Sequence, residues 1–330
     1  MKIFLAGATG AVGKRLVPRL VAGGHEVVAS TRTPNKREAL RAAGAEPVVL
    51  DILDRDAVMN AVVAARPDAV IHQVTALAGV RSFKNFDREF ALTNALRTEG
   101  TTHLIAAARA TGARLFIAQS YTGWPNVQEG ERVKTEDDPL DPHPPGTMTQ
   151  TLDAIRRLEA AVSGLSGITG IVLRYGSFYG PGTSLGIDGE ITQMVRQRKF
   201  PIVGGGTGVW SFTHIDDAAG AAQLALEQGG GGIYNIVDDE PAEVSVWLPE
   251  LARAVGAKPP YRVPAWLVRP ILGEAMLRIM MSVRGSSNAK AKRVLGWQPT
   301  YASWRDGFRR GLGSPEPASP RRRPVRPTSV

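Results

Sequence analysis

The sequence contains no cysteine, which excludes disulfide bonds and thiolate metal sites within these 330 residues. Histidine is also scarce, and none of the five copies stands at the spacing of a metal-ligand pair; they are His25, His72, His103, His143 and His214. We therefore expect no metal chemistry.

A long uninterrupted apolar run is missing as well. The most apolar stretch, PAWLVRPILGEAMLRIMMSV, is broken by arginines, a proline and a glutamate, whereas a spanning helix needs roughly 20 consecutive apolar residues. The opening MKIFLAGATG turns at glycines too early for a signal peptide. These patterns predict a cytoplasmic protein that has no membrane partner.

The net charge of +9 raises the question of nucleic acid binding. Part of this charge lies in residues 313–330, GSPEPASPRRRPVRPTSV, whose four arginines and one glutamate account for three of the nine charges. The Pro, Ser and Arg content predicts a disordered basic tail, either solvated or docked on an acidic partner. The body lacks a basic run interleaved with aromatic residues, so nucleic acid is not an expected partner.

Short apolar segments alternate with helical patterns from KIFLAG to TGIVLRY. This alternation predicts βαβ units, and hence a doubly wound α/β fold with a mainly parallel, Rossmann-type sheet. Residues 1–180 are predicted to form the dinucleotide-binding domain. Beyond them, Gly-rich loops, the strand-like GIYNIV and further helices indicate a smaller C-terminal substrate lobe, residues 181–312, interleaved with the main sheet.

A glycine-rich turn follows the first strand in LAGATGAVGKRL. Glycines at this place let the chain turn tightly and let backbone N–H groups approach a pyrophosphate at a helix N-terminus. The spacing, G-x-x-G-x-x-G, resembles that of the short-chain dehydrogenase/reductase superfamily. The residues predicted to contact the cofactor here are Gly7, Thr9, Gly10, Ala11, Val12 and Gly13.

The end of the second strand indicates which dinucleotide binds. An acid there would bond the ribose hydroxyls, but HEVVASTRTPNK places Thr31 at that position and Arg32 beside it. Because a guanidinium can fork onto a 2′-phosphate, we expect NADP, with NADPH preferred over NADH. Asp51 resembles the aspartate that the superfamily places beside the adenine, although it could instead cap the next helix. Ile52 and Val74 complete the predicted cofactor site.

Three later segments resemble the extended, epimerase/dehydratase-like branch of the superfamily. They are RYGSFYGPG, FTHIDDAAGAAQLAL and NAKAKRVLGWQPTY, and the last two are specific when they occur in this order. The resemblance implies that Tyr175 and Gly176 form walls near the nicotinamide. For His214, a capping or packing role is favoured over catalysis.

The acid/base pair of the superfamily, Tyr-x-x-x-Lys on one helix face, is absent from the chain. The matching positions in TMTQTLDAIRRLE hold Thr151 and Ile155, neither of which can titrate near pH 7. The superfamily's serine is retained as Ser120, predicted to stabilise developing negative charge. The proton would come from Tyr121 or Tyr175 or through water, and Ser120 and Tyr121 should point to opposite faces of their strand.

Three function classes remain open. The first, preferred, is an NAD(P)-dependent oxidoreductase or epimerase-like enzyme acting on a small carbonyl or alcohol compound. The others are a non-redox enzyme, such as a dehydratase or cyclase, and a nucleotide sensor without turnover. An apolar group in the C-terminal lobe could line a substrate pocket, pack in the core or form a homodimer contact; it comprises Trp266, Leu267, Ile271, Met276, Met280 and Met281.

Overall fold

The predicted alternation of strands and helices is present in a computed structural model that describes residues 1–77 and 84–314. The described strands, in chain order, are β1 (Lys2–Ala6), β2 (Glu26–Thr31), β3 (Glu46–Val49), β4 (Ala69–His72), β5 (Leu115–Tyr121), β6 (Val133–Lys134), β7 (Thr169–Tyr175), β8 (Ser177–Tyr179), β9 (Ile202–Val203), β10 (Val209–Trp210), β11 (Phe212–His214), β12 (Gly232–Ile236), β13 (Ala242–Glu243), β14 (Arg262–Val263) and β15 (Gly285–Ser286).

The described α-helices are α1 (Gly13–Ala22), α2 (Arg37–Ala42), α3 (Arg55–Ala65), α4 (Phe86–Glu89), α5 (Ala91–Ala95), α6 (Thr101–Thr111), α7 (Thr149–Ser163), α8 (Glu190–Arg196), α9 (Ile215–Gln228), α10 (Val244–Ala254), α11 (Ala265–Met281), α12 (Ala289–Leu295) and α13 (Trp304–Arg310). A π-helical turn, Leu96–Gly100, joins α5 to α6.

Seven parallel strands form the central sheet in the order β12-β7-β5-β4-β1-β2-β3. The strand order reverses between β1 and β4, and in open sheets of this kind ligands bind beyond the carboxyl ends of the strands at that point. Both faces are covered. One carries α1, α9 and α12, and the other carries α3, α6 and α7. The predicted doubly wound, Rossmann-type fold is therefore confirmed.

The second half of the chain contributes to the main sheet as well as to the smaller lobe. The segment GIYNIV forms β12, the outermost strand beside β7, and α9 packs against the sheet. The remaining elements bury a separate core around Trp247, Trp304 and Phe308. The division at residue 180 stays a proposal. The predicted tail lies outside the described residues, apart from Gly313 and Ser314.

Four small two-stranded sheets were not predicted. They pair β10 with β13, β11 with β8, β14 with β9 and β15 with β6. Each is only two or three residue pairs long, which is too short for the period-2 pattern that identifies a strand in sequence.

Candidate functional site

The turn between β1 and α1 accepts only glycine at two positions. Gly7 has a φ of +90°, and a Cβ there would lie 2.8 Å from the carbonyl carbon of Gln73. A Cβ at Gly13 would lie 2.3 Å from the carbonyl oxygen of Gly7. The glycines therefore bring the start of α1 against the ends of β1 and β4.

Backbone donors are free where this turn enters α1. Gly10 N–H bonds to the Gly7 carbonyl at 3.1 Å, and the first helical bond is donated by Lys14. Within residues 1–77 and 84–314, no acceptor meets the N–H groups of Ala11, Val12 and Gly13. Such donors at a helix N-terminus form an anion site, so this turn fits a dinucleotide pyrophosphate.

At the carboxyl end of β2, Thr31 is buried and its hydroxyl lies 3.1 Å from that of Thr9. The Thr31 hydroxyl also accepts a hydrogen bond from Thr33 N–H at 3.1 Å. Arg32 is exposed, and in the described part of the chain no carboxylate pairs with it. The end of β2 therefore carries the guanidinium of Arg32 at the place where an acid would bond the ribose hydroxyls.

The contacts at the end of β3 exclude a helix-capping role for Asp51, which was one of its two predicted alternatives. The side chain that caps α3 belongs to Asp54, whose carboxylate accepts from Ala57 N–H at 3.0 Å. Asp51 is exposed and accepts from Leu53 N–H at 3.1 Å, which fixes the loop. Ile52 beside it is buried. Asp51 therefore does not cap α3, and its contact with adenine stays a prediction.

At the end of β4, the buried His72 is held as a neutral ring. Its Nδ1 lies 3.3 Å from Val74 N–H and its Nε2 lies 3.2 Å from the Leu96 carbonyl, so Nδ1 accepts and Nε2 donates. Burial lowers the pKa of His72 to about 4, helped by the charge of Arg97 and opposed by the Leu96 bond. Val74, one of the predicted cofactor contacts, is thereby fixed in place.

Thr151, which replaces the superfamily tyrosine, is committed to structural hydrogen bonds. Its hydroxyl donates to Asp87 at 2.7 Å and accepts from the Asn94 amide at 3.1 Å. Asp87 also accepts from the backbone N–H groups of Gln150 and Thr151 and so caps α7. Ile155, in the lysine position, is fully buried in an apolar cluster. Neither residue brings a titratable group to the site.

Ser120 and Tyr121 point to opposite faces of β5. The Ser120 hydroxyl is buried and donates to Glu159 at 2.7 Å. Glu159 in turn accepts two bonds from Arg174, at 2.8 and 2.6 Å, to form a buried ion pair. The Ser120 hydroxyl already donates its proton to Glu159, so these contacts do not favour a role for Ser120 in stabilising negative charge on a substrate. That role stays a prediction.

The Tyr121 side chain is partly exposed at the carboxyl end of β5. Its hydroxyl lies 3.2 Å from the Ser177 hydroxyl, so either group can donate to the other. Desolvation raises the pKa of Tyr121, while the Ser177 bond and the charge of Arg97 lower it. Of the three predicted residues, Tyr121 is partly exposed, whereas Ser120 and Tyr175 are buried.

The predicted positions of Tyr175 and Gly176 at the nicotinamide stay predictions, and the packing contacts of the two residues do not favour them. Tyr175 is fully buried, and its hydroxyl donates to the Ala218 carbonyl of α9 at 3.3 Å. Burial raises the pKa of Tyr175, so it is a poor proton donor. Gly176 is packed so closely that a Cβ would lie 2.6 Å from the Ser211 carbonyl oxygen. Both residues have packing roles, because the end of β7 is covered by α9 and β11.

The downstream motifs are architectural, as expected. His214 caps α9 by accepting from Asp216 N–H at 3.2 Å, which confirms its predicted capping role. Asp217 accepts from the backbone N–H groups of Thr300 and Tyr301, at 2.9 and 3.0 Å, and so ties the two motifs together. Arg15 of α1 bonds Asp216 at 2.6 Å, which fixes the glycine turn to the second half of the chain.

The apolar group proposed as a pocket wall is divided. Met276 and Met280 are buried in the lobe core, whereas Trp266, Leu267 and Ile271 are 75%, 51% and 68% exposed. These side chains therefore do not line one common pocket. Among the described residues, no helix is long and apolar enough to cross a bilayer, and no cluster of three metal-ligating side chains occurs.

Sequence reasoning missed Arg97 of the π-helical turn. This side chain is 4% exposed, and within the described ranges two of its nitrogens are unpaired. A signal was present, because position 97 stands four and seven residues before Thr101 and Leu104, which are both buried. A charged residue at the buried positions of a helix indicates a candidate binding residue.

Comparison with known proteins agrees with this geometry. The family described as "NAD dependent epimerase/dehydratase family" matches residues 3–237. A "3-diazoavenalumate denitrifying reductase" from Streptomyces sp is 46% identical over 313 residues, 94% of this chain and the whole of that protein. A "2-alkyl-3-oxoalkanoate reductase" from Stenotrophomonas maltophilia (strain K279a) is 27% identical over 94% of this chain and 98% of that protein.

Solved structures share the fold. The UDP-glucose 4-epimerase of Thermus thermophilus in complex with NAD is 25% identical, with a TM-score of 0.71 over 94% of this chain and 98% of that chain. A human epimerase family protein with NADPH is 18% identical, with a TM-score of 0.73 over 94% and 99% of the two chains. A nicotinamide dinucleotide is therefore the cofactor class of this site.

Proposed function

Because the chain belongs to the NAD-dependent epimerase/dehydratase family and is an NAD(P)-dependent oxidoreductase of the short-chain dehydrogenase/reductase type, we propose that it replaces the diazo group of a small molecule by hydrogen. The observation that carries the proposal is the 46% identity to the denitrifying reductase, which extends over the whole of that protein. That relative is named for a diazo substrate, for reduction and for loss of nitrogen.

The absent acid/base pair supports this chemistry. When bound, the cofactor supplies a hydride, and the balance is one arenediazonium plus NADPH giving the arene, dinitrogen and NADP⁺. Dinitrogen leaves as a neutral molecule, so no side chain has to protonate a leaving group or an oxygen. Thr151 and Ile155 can therefore serve as packing residues without loss of a catalytic function.

We propose that Tyr121 is the hydroxyl that contacts the substrate. It is partly exposed at the carboxyl end of β5, and its hydroxyl lies 3.2 Å from that of Ser177, so either group can be the donor. Ser120 and Tyr175 are proposed as positioning residues, because their hydroxyl groups are buried and already bonded to Glu159 and Ala218.

The test of function is NADPH oxidation by the full-length protein with a panel of arenediazonium compounds. We expect one dinitrogen released for each NADPH oxidised. Thr151→Val should lose less than ~10-fold in kcat/KM, because its hydroxyl performs no proton transfer. If no diazo compound is reduced, or if nitrogen stays in the product, the proposal is wrong.

We further propose that NADPH is preferred over NADH. The support is the exposed Arg32 next to Thr31, where an acid would otherwise bind the ribose hydroxyls. One charge-assisted phosphate contact corresponds to ~10-fold in affinity. In calorimetric titrations, Arg32→Ala should weaken NADPH by about that factor and leave NADH unchanged, whereas the exposed Arg109→Ala should change neither. Equal affinities of the parent protein for both cofactors would refute the preference.

Carbonyl reduction is a second candidate. Relatives named for keto substrates, at 27% identity, favour it, and Tyr121 would then have to supply a proton. Tyr121→Phe separates the two reactions. It should lower turnover ~100-fold or more if a carbonyl oxygen is protonated, but only ~10-fold or less if dinitrogen departs.

Association into a homodimer is a separate proposal. Trp266, Leu267 and Ile271 are large apolar side chains exposed near the start of α11, and such a patch is typical of an interface. Sedimentation velocity should show a dimer that Ile271→Glu dissociates. A parent protein that sediments as a monomer at micromolar concentration would exclude it.

A further inference from the structure

Arg97 carries a buried charge without a hydrogen-bonded counterion in the described part of the chain. Its side chain is 4% exposed, and its Nε and Nη1 atoms have no hydrogen-bond partner there. No acidic group within residues 1–77 and 84–314 forms an ion pair with it. An unpaired buried charge costs several kcal/mol, so its retention calls for a partner that is not among the described residues.

Glu159 is the nearby carboxylate, but its oxygens are already used. One accepts from Ser120 and from Arg174 Nε, and the other accepts from Arg174 Nη2. This single negative charge is therefore shared with Arg174, and Arg97 is left as an excess positive charge. Burial lowers the pKa of Arg97 to about 10, which still leaves the guanidinium protonated at neutral pH.

The charge lies at the carboxyl ends of the central strands. It is close enough to the ring of His72, at the end of β4, and to the hydroxyl of Tyr121, at the end of β5, to lower the pKa of each. Asn94, three residues before Arg97, also has a buried side-chain oxygen, Oδ1, that lacks a hydrogen-bond partner among the described residues. His72 is neutral and adds no charge of its own.

We propose that Arg97, with Asn94 three residues before it, binds an anionic oxygen of the substrate, either a carboxylate or a phenolate. The proposal rests on the proposed function and deepens it by naming the substrate class. Nε and Nη1 lie on different edges of the guanidinium, so either of these unpartnered nitrogens can donate a charge-assisted hydrogen bond to such an oxygen.

This charge restricts which diazo compounds are accepted. A bare arenediazonium is a cation and is repelled by Arg97, whereas one with a carboxylate or phenolate is neutral overall and binds by its oxygen. In the balanced step, the anionic oxygen stays on Arg97 while hydride replaces dinitrogen at carbon.

The binding test uses the full-length protein saturated with NADP⁺ and calorimetric titration with three probes: benzoate, 4-nitrophenolate and neutral benzamide. At least one anion should bind ~10-fold or more tightly than benzamide, and the stronger anion identifies carboxylate or phenolate as the preferred group. Arg97→Met should remove that advantage and Arg97→Lys should restore part of it. The exposed Arg109→Met, which removes the same charge from α6, should bind within ~2-fold of the parent.

Two further measurements complete the test. Without ligand, Arg97→Met should unfold at the same or a higher temperature than the parent, because the unpaired charge is gone; a clear decrease would show that Arg97 has a structural role instead.

In turnover, 4-carboxybenzenediazonium should exceed benzenediazonium ~10-fold or more in kcat/KM. Reduction of both at equal rates, or anions that bind no tighter than benzamide, would overturn the subsite. Reduction of neither would instead overturn the proposed function, since benzoate binding is measured separately.

Discussion

Replacing Glu159 by glutamine should destabilise the protein strongly, because it removes a charge that compensates two buried guanidinium groups. Glu159 accepts three hydrogen bonds of 2.6 to 2.8 Å, from Ser120 and from Arg174. Both members of the ion pair are about 95% buried. Breaking a buried pair by removing one partner costs about 3–5 kcal/mol, so we expect a loss in that range.

The control is Glu38→Gln. Glu38 forms an ion pair with Arg41 on the surface of α2, where its side chain is 80% exposed, and such a pair contributes about 0–1 kcal/mol. Urea unfolding followed by circular dichroism measures both losses, provided the slopes of the transitions agree. The double variant Arg97→Met, Glu159→Gln should regain about 1 kcal/mol or more over Glu159→Gln, because one of the unpaired charges is removed. A Glu159→Gln loss no larger than that of Glu38→Gln would refute the reasoning.

The remaining predictions concern stability. His72 has a folded-state pKa of about 4, below the 6.5 of the unfolded chain, so the unfolded state binds more protons between these values and stability falls as pH is lowered through them. The His72→Asn variant should lose about 3 kcal/mol less than the parent between pH 7 and pH 4 in urea titrations, and parallel curves would contradict this. Gly13→Ala should lower the free energy of unfolding by more than ~2 kcal/mol and weaken NADPH binding, because its Cβ would overlap the Gly7 carbonyl. Gly220→Ala, on the open face of α9, should raise the free energy of unfolding by up to ~1 kcal/mol. Similar melting temperatures for the two variants would contradict this prediction. Truncation after Leu312, whose side chain is buried in the lobe core, should leave the melting temperature within a few degrees, and a larger decrease would show that the tail docks.

The sheet and the cofactor turn could be predicted from the sequence because their signals are local. Parallel strands buried on both faces read as continuous apolar runs, and Gly7 and Gly13 are required by close backbone contacts that depend on neighbouring elements of the same unit. The opposite orientations of Ser120 and Tyr121 also followed from strand geometry alone, and their contacts bear them out.

The charges of the site could not be predicted, because they depend on contacts between residues far apart in sequence. The pairing of Glu159 with Arg174 depends on how α7 packs against β7. Tyr175 stands in a familiar motif, yet its ring is covered by α9, which begins forty residues later. The helical spacing of Arg97 from Thr101 and Leu104 indicates its burial, but its lack of a partner depends on a π-helical turn, and such a turn has no simple sequence signature.

The most direct test of the central claim is isotopic. NADPH in which both hydrogens at C4 of the nicotinamide are replaced by deuterium is incubated with the full-length protein and 4-carboxybenzenediazonium. The product is examined by mass spectrometry and by proton NMR. The account predicts benzoate with one deuterium at the carbon that carried nitrogen, and one dinitrogen for each NADPH oxidised. A product that retains both nitrogens, or a benzoate without deuterium at that carbon, would contradict it.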